Sequence, residues 1–133
     1  MNVAIAAVSC LLPMLALDGL WLNTMLKRFY APRMVNLLSD TPSLVPAGIF
    51  YLIYAAGLSV LIVLPSVKNG DGAMKVFLRG ALFGFVCYAT YDLTNQATLK
   101  AWSSSLTLVD MAWGAFLTGT ASLGASASAR RLS

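Results

Sequence analysis

Three aspartates, Asp18, Asp92 and Asp110, stand inside stretches that are otherwise apolar. A carboxylate at the centre of a lipid-embedded helix costs roughly 2.5–3.5 kcal/mol. Each therefore calls for an inward-facing partner or a chemical task. Asp92 lies in Tyr88-Ala89-Thr90-Tyr91-Asp92-Leu93-Thr94-Asn95, which sets two phenols and an amide within about one helical turn of the carboxyl. Asp110 and Trp113 are three residues apart and share a helix face, and Asp18 and Trp21 repeat the spacing. Two carboxyls in one pocket serve as acid and base when their environments differ. On that chemistry Asp92 is the leading acid/base and Asp110 or Asp18 the second. Tyr88, Tyr91, Asn95, Tyr51, Tyr54 and Trp113 are the candidate substrate contacts. The same groups equally suit a hydrogen-bond network that joins helices, and the tyrosines and tryptophans suit a membrane-interface belt.

Other chemistries lack their residues. The chain has no His, which removes the commonest general base and metal ligand. Cys10 and Cys87 each stand alone in an apolar run, with no CxxC, and read as small buried hydrophobes. No metal site, cofactor or phosphate-binding loop is expected. The net charge is +4, but the basic residues fall between apolar runs, where they suit anionic headgroups. They form no patch with interleaved aromatics, so nucleic acid is not an expected partner and membrane lipid is.

The elements that must hold these residues are membrane spans. Hydrophobic residues make up 59% of the 133 and charged residues 11%, with a mean hydropathy of +0.77. Soluble domains average about 45–50% and about 25%. The pattern predicts one all-α membrane domain over 1–133, a four-transmembrane-helix bundle with spans at about 3–26, 44–64, 74–97 and 106–125. Residues 1–26 read as a mature first helix, since no basic region precedes the apolar run as in a cleaved signal peptide. Pro13 lies within it, and Lys27-Arg28 end it. Residues 27–45 form the first connection, with a short interfacial helix over 34–38. Asn69-Gly70-Asp71-Gly72 is turn chemistry between the second and third spans. A short basic tail occupies 127–133.

Four spans put both termini on one side. Lys68, Lys75, Arg79, Arg130 and Arg131 flank that side, and Lys27, Arg28, Arg33 and Lys100 the other, which leans toward cytoplasmic termini. Chain direction then places Asp18 late in the first span and Asp92 late in the third. Tyr51 and Tyr54 fall early in the second, and Asp110 and Trp113 early in the fourth. All gather in one half of the bilayer, with Lys27, Arg28, Arg33 and Lys100 as candidate counter-ions. Gly80, Gly84, Tyr88 and Asp92, four apart, form one slowly drifting stripe on the third helix. Its glycines allow close helix approach, either within the chain or as the seam of a homodimer.

Asp18-x-x-Trp21, Phe50-Tyr51-x-x-Tyr54, Gly80-x-x-x-Gly84, Tyr88–Asn95, Ala97-Thr98-Leu99-Lys100-x-Trp102 and Asp110-x-x-Trp113-Gly114 together resemble the small bacterial membrane proteins grouped as domain of unknown function 2177. The resemblance spans nearly the whole chain. It implies a compact four-span protein of the bacterial inner membrane and carries no activity with it. Three functions stay open: a pocket in one leaflet with acid/base chemistry on a lipid-like or small apolar substrate, a small proton-coupled transporter or channel acting as an oligomer, and an accessory subunit whose polar cluster is structural.

Overall fold

The computed structural model describes residues 3–33 and 43–132. They form four helices: α1 (Val3–Arg33), α2 (Leu44–Asn69), α3 (Ala73–Thr98) and α4 (Ser104–Leu132). No strand occurs among the described residues. The short helix expected over 34–38 lies outside them.

The helices α1, α2 and α3 are each long and apolar enough to cross a membrane. Their outer sides carry large aliphatic residues in the open, among them Leu12 at 64%, Ile53 at 68% and Leu82 at 64% exposure. The centre holds smaller groups instead: Ala6, Cys10, Ala55, Ala121 and Ala125 around Met14 and Leu58. Lipid tails are as apolar as leucine, so association in a membrane relies on close packing through small residues. This distribution fits that solvent.

The fourth helix differs from the other three. It is long enough to cross, 29 residues or about 43 Å, but Ser, Thr and Gly lower its hydropathy. Its small polar residues point inward. Thr118, Ser122 and Ser126 are buried, and the Ser122 hydroxyl donates to the Thr118 carbonyl at 2.8 Å. Its inner face is therefore a polar-tolerant seam that other helices cover. It packs along α3 and against α1, while α1 packs on α2.

The closest seam is α3 on α4. Gly80 and Gly84 are buried. A Cβ on Gly80 would collide with Ser122, and one on Gly84 with Thr118 and the Gly114 backbone. The glycine stripe thus packs within the chain and presents no open face. Tyr88 lies across Gly114 in the same seam.

Three helices run past their expected ends. The segment expected as a short basic tail is the last turns of α4, which continues through Arg130 and Arg131 to Leu132. The basic pair Lys27-Arg28 does not stop α1. A π-helical turn over Leu26–Tyr30 carries it on to Arg33. In α2 a second π-helical turn, Ser59–Val63, precedes Pro65. Proline lacks an N–H and crowds the preceding turn, and the wider turn lets the helix continue to Asn69. There Gly70, at φ 68°, ends it. The amides of Gly70 and Asp71 bond back to Val67 and Ser66, at 3.2 and 2.9 Å, in a Schellman cap. Asp71 is buried in this turn, paired with Lys75 at 3.1 Å and Arg79 at 3.2 Å. Arg130 donates to its carbonyl oxygen.

Candidate functional site

The opposite end of the bundle collects the polar groups. Asp18 is held on α1 at the bottom of this end, with 9% of its surface exposed. The Trp113 indole of α4 donates to its Oδ1 at 3.1 Å, and the Tyr51 hydroxyl of α2 donates to its Oδ2. Three helices thus meet on one carboxyl.

Asp110 on α4 accepts from the Tyr30 hydroxyl at 2.8 Å. Tyr30 in turn accepts from the Trp21 indole at 2.9 Å. Trp21 and Trp113 stack face to face, 4.3 Å between centroids and 7° between planes. The two Asp-x-x-Trp sequences on α1 and α4 therefore serve each other: each tryptophan supports the carboxyl of the other helix, Trp113 directly and Trp21 through Tyr30. Tyr30 reaches this position because the π-helical turn continues α1 beyond its basic pair and leaves Tyr30 buried.

Asp92 is different. It is 0% exposed, and neither carboxyl oxygen accepts from an N–H or hydroxyl group among the described residues; its polar neighbour is the carboxyl of Asp110, close enough for the two to share a proton. Buried polar groups are normally paired, and an exception calls for an explanation. Asp92 faces a small cavity of about 100 Å³ whose walls include Asp110, Tyr30 and Tyr91. Those same three residues border a larger pocket of about 400 Å³, so the two spaces adjoin.

The larger pocket is mostly aromatic. Trp21, Tyr30, Phe50, Tyr54, Tyr88 and Trp113 supply most of its wall, with Asp18 and Asp110 as its acids. Tyr54 forms the floor, bonded to Thr118 Oγ1 at 2.6 Å and edge-on to Phe83 at 5.4 Å. Above that contact the first half of α2 and the last half of α3 make few contacts. Phe50 and Tyr91, both exposed, stand on either side of the gap. Phe50 of α2 and Tyr91 of α3 thus form an exposed part of the pocket wall.

The end of α3 is pinned to the start of α4 by side chains. The Trp102 indole donates to Thr107 at 3.0 Å, Thr107 donates to Gln96 at 2.7 Å, and Gln96 donates to Ser104 at 3.0 Å. The Ser103 hydroxyl accepts from the Leu106 amide at 3.1 Å, a cap for α4.

The structure brings together Asp18, Asp92, Asp110, Tyr51, Tyr54, Tyr88, Tyr91 and Trp113 at this end. Asn95 does not line either cavity and lies beside Tyr91 instead. Tyr88 gives Asp92 no hydrogen bond. The basic residues do not neutralise the acids. Among the described residues none of Asp18, Asp92 and Asp110 has an ion pair within 4 Å, and Arg33 instead covers the Phe29 ring at 3.9 Å and bonds to Ser105. Sequence reasoning missed Tyr30, Phe50 and Cys87 as pocket residues, and the link from Trp21 through Tyr30 to Asp110. An i, i+9 link from Trp21 to Tyr30 was available as a signal only if the helix was carried through Lys27-Arg28.

Lipid-facing aliphatic helices around a small-residue seam define a multi-pass membrane protein. The chain belongs to the family described as predicted membrane protein, domain of unknown function 2177, which matches residues 3–127. No curated protein and no solved structure matches it.

Proposed function

We propose that this is a four-span protein of the bacterial inner membrane, with both termini cytoplasmic. Its aromatic pocket binds a lipid-like or small apolar substrate entering from one leaflet. Asp110 is the group that exchanges a proton with the substrate, and Asp92, behind it in the smaller cavity, is the second acid/base. Asp18 is the better-tethered acid, with two donors, and orients the wall. The observation that carries this reading is Asp92: a fully buried carboxyl that no N–H or hydroxyl serves, set against the Asp110 carboxyl in a cavity next to a 400 Å³ pocket. A network serving only to join helices has every member bonded. The packed layer from Tyr54 downward, with Leu58, Met14 and Ala121 beneath, weighs against a channel through the same chain.

The test uses Cys87→Phe, which projects a ring from the wall into the larger pocket. Wild type and variant are purified in a mild detergent, and their retained amphiphiles are identified by mass spectrometry. The expected result is one class of molecule enriched with the wild type and absent from the variant at equal folding. Identical lipid profiles in both would overturn the reading.

A further inference from the structure

The pocket's chemistry also specifies the charge of what it holds. Its walls contain two carboxyls and seven aromatic side chains, and no Lys or Arg lines it. Every donor to those carboxyls is neutral: two indoles or phenols on Asp18 and one phenol on Asp110. Behind Asp110 lies Asp92, wholly buried, served by no N–H or phenol and set against the Asp110 carboxyl. Lys27, Arg28 and Lys100 are exposed at this end, and Arg33 is engaged with Phe29 and Ser105. The acids therefore have no counter-charge among the described residues.

A phosphate or carboxylate headgroup would meet repulsion here and no cationic donor. A neutral tail alone would leave the carboxyls unused. A positive headgroup meets both acids and ring faces, and cation–π attraction strengthens when the site is desolvated. Phe50 and Tyr91, both exposed on the pocket wall, offer an apolar tail a way out of the pocket between α2 and α3.

We propose that the pocket takes an amphiphilic organic cation, an amine or quaternary ammonium, whose charged head sits among Asp18, Asp110 and the surrounding aromatic rings while its tail leaves between α2 and α3. This rests on the pocket reading above and adds the ligand's charge to it.

The test compares three probes of matched length: decyltrimethylammonium, its neutral isostere with a tert-butyl head, and decyl sulfate. Each is titrated into the protein in phosphatidylcholine nanodiscs, below micelle formation, with tryptophan fluorescence as the readout. The cation is expected to bind saturably and on the order of tenfold tighter than the neutral isostere, as cation–π contacts in a desolvated site imply, with the sulfate weakest. Asp110→Asn and Asp18→Asn are each expected to erase most of the cation's advantage over the isostere. Because the two variants sit on different helices, misfolding of one leaves the other decisive. Equal saturable binding of cation and isostere would overturn the charge assignment and leave the pocket reading standing. No saturable binding by any probe would overturn both. A cation advantage that survives both substitutions would place the charge elsewhere and also overturn the assignment.

Discussion

Replacing Asp92 by valine separates a functional acid from structural glue by the sign of one number. In the wild type both Asp92 oxygens are buried, no N–H or hydroxyl serves them, and the Asp110 carboxyl is their polar neighbour. Leaving a buried polar group unsatisfied costs about 1–3 kcal/mol, and Asp92→Val removes that cost. The side chain grows slightly, but the adjoining cavity of about 100 Å³ takes the extra volume without overpacking. The expected change is a stabilisation of about 1–3 kcal/mol. Asp18→Val serves as the contrast. It strands the Trp113 indole and the Tyr51 hydroxyl. Interhelical hydrogen bonds in membranes average about 0.6 kcal/mol, with about 1.7 at the upper end, so losing two costs roughly 1–3 kcal/mol. The assay is reversible unfolding in mixed micelles, followed by far-UV circular dichroism. A stabilised Asp92→Val beside a destabilised Asp18→Val is the predicted pair. If Asp92→Val is destabilised as much as Asp18→Val, the carboxyl holds helices together and the reasoning fails.

Two further outcomes follow from the packing. Gly114→Ala puts a methyl group into the Tyr88 ring, and overpacking of this kind costs about 1–3 kcal/mol; Gly19→Ala meets nothing within 4 Å and is expected to leave thermal stability nearly unchanged in the same melt. Tyr30→Phe removes the acceptor for Trp21 and the donor to Asp110; it is expected to shift the tryptophan emission and to cost on the order of 1 kcal/mol, whereas no change in either would remove Tyr30 from the network.

The gathering of the acids was legible in the sequence because it depends only on chain direction and on the depth of each residue in its run. Chain direction places Asp18, Asp92 and Asp110 with Tyr51, Tyr54 and Trp113 in one half of the bilayer, but gives no pairing among them; the bonds of Tyr51 and Trp113 to Asp18 come from the packed helices. The glycine stripe was legible as a close-approach face, and its partner, α4, was not, because pattern gives a face and no neighbour. Tyr30 was hidden by a charge rule. Lys27-Arg28 looks like a membrane boundary, yet the π-helical turn carries α1 through it and leaves Tyr30 buried. Asp92 shows the limit of spacing arguments. Tyr88 shares its stripe and Asn95 follows within a turn, but the Tyr88 ring is occupied by Gly114 and Asn95 lies away from both cavities. Shared faces do not make hydrogen bonds, so the most exceptional feature of the site, a buried acid whose polar neighbour is another acid, emerged only from the assembled helices.

The most direct measurement is a high-resolution structure of the chain in lipid, inspected in the space between Asp18, Asp110 and Tyr88. The account predicts bound non-protein density there, reaching lipid between Phe50 and Tyr91, with Asp92 still free of side-chain donors. A pocket closed by Tyr88 and Tyr91, with Asp92 accepting hydrogen bonds from neighbouring helices, would contradict it.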